Sequence, residues 1–217
     1  METKPKRTYD ATKRRARAEQ ERRATRRRVL AAAQRLFVAN GYIATTMVDI
    51  ADEAGVALQS VYKAGTSKAE LLQRVIELVV AGDDDDIMIT DRPSFAAIAA
   101  ATDPTRQIQL MAELIATVQE RSAPVQAAYR QAAAVDITVA DNLDAELRRR
   151  HDTFAAVIGM IRKDHLRHSR DESTDIAWAI GSSEVYLLLR TRLGWDPDHY
   201  LDWLSRTLVE QLLIADS

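Results

Sequence analysis

Residues 41–62 read GYIATTMVDIADEAGVALQSVY, and SKAELL follows at residues 67–72. Thr46 and Asp49 stand three apart, the spacing at which a hydroxyl and a carboxylate satisfy each other's backbone N–H groups, so a helix is predicted to open at Thr46 and stop at Gly55. A short helix fits Leu58 to Lys63. Ser67 and Glu70 repeat the capping pattern ahead of a further helix bearing Leu71, Leu72, Val75, Ile76 and Val79. Two helices that cross closely need a small residue at the crossing, a residue tolerant of positive φ at the turn and an apolar anchor on the second helix. Ala51, Gly55 and Val61 fill these roles at intervals of four and six, with Ile50, Ala54 and Val56 between them. The spacing predicts a helix-turn-helix.

Working upstream, Val29, Ala33, Leu36 and Phe37 recur at helical spacing from Thr25 onward, and Gly41 is placed to end that helix. Residues 1–24 hold Lys4, Lys6, Arg7, Lys13, Arg14, Arg15, Arg17, Arg22 and Arg23 with very few apolar side chains, too few to bury surface and fold alone. They are read as a basic flexible arm. The formal net charge of −2 hides an asymmetry. Residues 1–80 carry 16 Lys and Arg against 9 Asp and Glu, a net +7, whereas the remainder carries 14 against 23, a net −9. A basic head on an acidic body points to a polyanion that meets the head alone.

Downstream, Gly82, the aspartates from Asp83 to Asp86, and Asp91 to Pro93 read as a loop. The divisions expected are 1–24 for the arm, 25–82 for a helix-turn-helix domain and 83–217 for a larger second domain. After a short apolar stretch from Phe95 to Ala101, Asp103 and Pro104 suit an N-cap and first helical position, followed by Ile108, Met111, Ile115 and Val118 on one face. Pro124 is expected to start another helix containing Tyr129, and a longer one aligns Leu143, Leu147, Phe154, Ile158 and Ile161. Between Ser173 and Leu193 apolar residues occupy more than one face, with Gly181, Ser182 and Ser183 expected in mid-helix. Asp196 and Pro197 open a last helix with Tyr200, Leu201, Leu204, Leu208 and Leu212. No segment alternates with period two, so the fold class is all-α.

Several chemistries are set aside by composition. The chain has no cysteine, which removes disulfides, zinc ribbons and thiol nucleophiles. No apolar run approaches the ~18 residues of a membrane span, and no signal peptide is recognisable, so a cytoplasmic location is expected. The aspartate run lacks the spaced ligands and glycine of a calcium loop. His165 and His168 stand three apart with His151 earlier, without an obvious carboxylate partner at ligand spacing, so neither metal nor cofactor is expected. The rival reading is an α-helical enzyme or metal-binding protein with an incidental basic head. Against it, no glycine-rich phosphate loop, nucleophile elbow or paired-histidine zinc motif is present. A second rival is an architectural DNA-binding protein without an effector. Met111, Tyr129, Phe154 and Trp178 are candidates to line a ligand pocket, since such pockets are largely apolar with a few polar groups.

The quoted stretches resemble the amino-terminal domain of the tetracycline-repressor (TetR) family over about residues 25–75; beyond that the likeness lies in helix count and layout. The ending EVYLLLRTRLGWDPDHYLDWL, residues 184–204, resembles that of a group of actinobacterial regulators. The resemblance implies a dimeric transcriptional regulator, most commonly a repressor, that binds double-stranded operator DNA and is released by a small apolar effector. It implies phosphate contacts for Thr46, Tyr62 and Lys68, and major-groove contacts for Gln59, Ser60 and Lys63, where glutamine can pair bidentately with adenine. It also implies a homodimer joined through the last two helices as a four-helix bundle, which sets two recognition helices about 34–36 Å apart on a near-palindromic site. The sequence departs from the family where His-Phe often stands after the recognition tyrosine and one further residue. Here Ala64 and Gly65 occupy those places.

Overall fold

The computed structural model describes residues 7–83 and 91–214, with side chains from Lys13 onward. Residues 1–6 of the expected arm and Asp84, Asp85 and Asp86 of the aspartate run lie outside the described residues. Among the described residues the chain is all-α, and an isolated antiparallel bridge between Leu166 and Leu213 is the only β pairing. None of the described helices is long and apolar enough to cross a membrane. The chain divides into two compact units, Met1–Val75 and Ile76–Ser217.

In the first unit α1 spans Arg7–Ala44. Residues 7–24, expected as an arm without structure of its own, are therefore helical. Their Arg, Ala, Lys, Glu and Gln side chains are good helix formers, and Arg17 with Glu21 and Arg23 with Glu19 pair one turn apart at 3.0 and 3.5 Å. Gly41 adopts φ 79° and breaks the helix where expected. Thr45 seals that break, its hydroxyl donating to the Leu36 and Gly41 carbonyls at 3.2 and 2.8 Å. Helices α2, Met47–Ala54, and α3, Leu58–Ala64, form the crossed pair, with Gly55 between them at φ 62°. Val29, Leu30, Phe37, Ile50, Val61, Leu71 and Leu72 are buried in this unit. Arg35 of α1 grips Glu53 of α2 at 2.7 Å.

Helix α4 spans Lys68–Ala81, and the division between the units falls inside it, not at the Gly82 loop. Its later turns belong to the second unit because Arg121 donates to the Val79 and Val80 carbonyls at 2.6 Å each, capping orphan acceptors at the helix end.

The second unit contains α5, Pro93–Ala100; α6, Pro104–Ala133; α7, Ile137–Met160; α8, Arg170–Ile180; α9, Ser183–Tyr186; and α10, Pro197–Leu212. Ile98, Ile108, Met111, Phe154, Ile158, Tyr200, Leu204 and Leu208 share its core. Two expectations are corrected. Pro124 does not start a helix but lies inside α6. An interior proline removes one hydrogen bond at a cost of roughly 3 kcal/mol, and burial of Ser122, Ala123, Val125 and Ala128 on either side keeps the chain helical through it. Gly181 and Ser182 do not continue a helix but separate α8 from α9. Ser182 turns extended and its hydroxyl caps the Val185 N–H at 3.3 Å. A side chain at Gly181 would press on Phe154 and Ile115, at 3.0 and 3.1 Å. Beyond α9 the chain widens into a π-helical stretch, Leu187–Arg192.

Candidate DNA-reading head and effector cavity

The head is built by local capping. The Thr46 hydroxyl accepts from the Asp49 N–H at 3.1 Å, and the Asp49 carboxylate accepts from the Thr46 N–H at 2.8 Å, bonds that hold the Asp49 carboxyl below its usual range. On α3, Val61 and Ala64 turn inward and are buried, while Gln59, Tyr62 and Lys63 are exposed and Ser60 is half-buried. Thr46 is also exposed. Five of the six residues named for DNA contact therefore stand open to some degree on α3 or at the start of α2.

Lys68 differs from the other five. Its ammonium turns back to the end of α1, donating to the carbonyls of Tyr42, Thr45 and Ile43 at 2.8, 3.1 and 3.4 Å, and lies 4.3 Å from the Tyr42 ring centroid. These acceptors lie 23 to 26 positions away in the chain, beyond the reach of helical register. At the same helix start, the Ser67 hydroxyl accepts from the Glu70 N–H at 3.1 Å, but the Glu70 carboxylate reaches Thr66 and not Ser67, so the reciprocal half of the cap is displaced by one residue. Val48 and Leu58, 52% and 38% exposed, are apolar groups on the two crossed helices that sequence reading passed over.

The Ala64–Gly65 departure has a steric reason. Gly65 is buried, and a Cβ there would sit 2.9 Å from the Leu71 Cα and backbone N. The start of α4 fills the space that a larger side chain would need.

The second unit contains a partly open cavity of about 600 Å³. Met111, Tyr129 and Phe154 line it; Trp178 does not. The Arg150 guanidinium donates to the Trp178 carbonyl at 2.7 Å and lies over the rings of Phe154 and Trp178, 4.8 and 5.3 Å from their centroids. Burial lowers its pKa to about 10. Burial likewise raises the Tyr129 phenol above its ordinary value. Gln119, buried in the same wall, donates to the Gly181 carbonyl at 2.8 Å. Neither Arg150 nor Gln119 was singled out from sequence, although Arg150 precedes Phe154 by four residues and so shares its helix face.

Among the described residues no group of three His, Asp or Glu is gathered to hold a metal ion. Two histidines do have carboxylate neighbours: His151 Nε2 lies 2.8 Å from Asp175, 24 positions away, and His168 Nδ1 lies 3.5 Å from Glu172, four positions on.

Residues 29–75 match the family model for bacterial regulatory proteins, tetR family. No curated protein matches the chain in sequence. Among solved structures, NalD, the secondary repressor of the MexAB-OprM multidrug efflux pump in Pseudomonas aeruginosa, superposes with a TM-score of 0.65 at 20% identity, covering 88% of this chain and 96% of that one. A protein from Saccharomonospora viridis, described as a transcriptional regulator and solved in complex with choline, gives 0.65 at 19% over 88% and 98%. A transcriptional regulator of the TetR family from Agrobacterium tumefaciens gives 0.64 at 17% over 89% and 100%. Residues 29–75 thus carry the helix-turn-helix of the tetR family of bacterial regulatory proteins, and the chain shares its all-helical fold with these solved structures along most of its length.

Proposed function

We propose that the protein is a homodimeric repressor that binds a near-palindromic operator and is released by a small, largely apolar effector. One observation carries the DNA half: α3 buries Val61 and Ala64 and leaves Gln59, Tyr62 and Lys63 free to enter a major groove. Gln59 and Ser60 read base edges, Tyr62, Lys63 and Thr46 meet the nearby backbone, and Leu58 offers an apolar contact to a thymine methyl. Lys68 acts as a positioning residue, fixing the start of α4 against the end of α1.

The largely apolar cavity supports the effector half, with Met111, Tyr129 and Phe154 as contacts. Relatives in fold include one named as a repressor and one solved with a small organic ligand. Helix α4 is the lever, because its first turns belong to the reading head while Ile76, Val80 and Ala81 line the cavity. Reversing a 1:99 population of two forms takes ~5.5 kcal/mol of differential affinity. Dimerisation uses the carboxy-terminal helices, where Leu188 and Leu193 stand 55% and 62% exposed.

Selection of preferred sites from random duplex DNA tests this reading. Two inverted half-sites spaced by about one helical turn are expected. Salt-sensitive binding without sequence preference would instead support an architectural role.

A further inference from the structure

The cavity wall contains a cation that the protein leaves without an acid. Arg150 makes one hydrogen bond, to the Trp178 carbonyl, and has no carboxylate within ion-pair distance among the described residues. Its charged neighbours in the lining are engaged or peripheral: Arg149 pairs with Glu146 at 2.6 Å, Arg130 with Glu184 at 3.1 Å, and Glu77 and Asp152 are exposed. Arg150 remains charged near neutral pH yet has lost much of the water that would stabilise it. A second polar group in the same wall is also unmet, for Gln119 is 3% exposed and its Oε1 is buried without a partner. A pure hydrocarbon would leave both groups unsatisfied, and a carboxylate, which only accepts, answers Arg150 alone, the Gln119 Oε1 requiring a donor such as water or a hydroxyl.

Resting on the reading that this cavity is the effector site, we propose that the effector is an amphipathic anion: an apolar chain with a single carboxylate that docks on the donors Arg150 has left over. A guanidinium presents a planar fork that matches a carboxylate, and a desolvated one gains most from it. The stacking also disfavours a cationic effector, because the protein's own guanidinium covers a face of Phe154, a lining ring that a quaternary ammonium would seek.

Calorimetric titration of the intact protein with decanoate, decan-1-ol and decyltrimethylammonium, each below its micelle concentration, tests the proposal. Decanoate should bind at least about ten-fold more tightly than either analogue, and R150Q should weaken decanoate about ten-fold or more while leaving decanol within about two-fold. R150K, which keeps the charge but loses the fork, guards against a folding defect and should weaken decanoate by less than R150Q does. Equal or tighter binding of the alcohol or the cation overturns the carboxylate assignment while leaving the cavity reading intact. Unchanged decanoate affinity in both variants overturns it as well. Binding of none of the three removes both the assignment and the cavity reading beneath it.

Discussion

Lys68 meets Tyr42 twice, its ammonium 2.8 Å from the carbonyl oxygen and 4.3 Å from the ring centroid of the same residue. With the Thr45 and Ile43 carbonyls also accepting, one side chain ties the first turn of α4 to the frayed end of α1, just past the Gly41 break. The helix-turn-helix is held between those two segments, so this tie sets the frame in which α3 is presented.

Replacing Lys68 with methionine removes the charge but keeps the length. The head should lose about 1.5–3 kcal/mol, the range for hydrogen bonds to a charged group. A lower urea midpoint that accompanies weaker DNA binding is the expected pattern. Weaker DNA binding with an unshifted midpoint would return Lys68 to a direct phosphate contact.

Gly65→Ala forces a methyl group against the Leu71 backbone. Overpacking of this kind costs about 1–3 kcal/mol, so thermal unfolding of the head should begin at lower temperature. An unchanged melting curve would show that the α3–α4 turn can yield.

Glu70 accepts from the Thr66 hydroxyl and N–H and from Arg74, and these bonds hold its carboxyl near a pKa of about 2 against 4.5 unperturbed. A carboxylate with a depressed folded-state pKa stabilises the fold above its unfolded value, and that contribution fades as pH falls through the window from 4.5 towards 2. Urea midpoints measured across this window should fall more steeply for the native chain than for E70Q. Parallel curves would assign the acid sensitivity to other groups.

On α3, Gln59→Ala should relax preference at one position in each half-site, a discrimination of about 1–3 kcal/mol for a bidentate pair. Tyr62→Ala should weaken all sites alike. A selected-site profile that Gln59→Ala leaves untouched removes that residue from base reading.

Deletion of residues 1–24 removes a strongly basic segment whose residues 7–24 are helical. For each DNA phosphate that the shortened protein no longer neutralises, the slope of log affinity against log salt should become shallower by about 0.9. An identical slope would mean that the segment does not touch DNA.

Much of the head was legible in the chain itself. Thr46 with Asp49, Gly41, Gly55, and Asp103 with Pro104 act on backbone groups within a few residues, so their meaning survives without knowledge of the fold. Binary patterning likewise predicted that Val61 would be buried and α10 amphipathic. Local rules failed where distant contacts decided the outcome. Pro124 reads as a helix start until the burial on both sides of it is seen, and Gly181 reads as a small interior residue until Phe154 and Ile115 are placed against it.

By itself, then, the sequence determined the all-helical class, the crossed pair of the helix-turn-helix and the sign of charge around it, because helical periodicity and caps are short-range. Only tertiary structure decided that Lys68 braces the head, that Gly65 leaves room for α4, and that Arg150 stands without an acid in a cavity wall. Each of those depends on groups brought together across many residues, where the strength of a contact is set by burial and geometry and not by spacing along the chain.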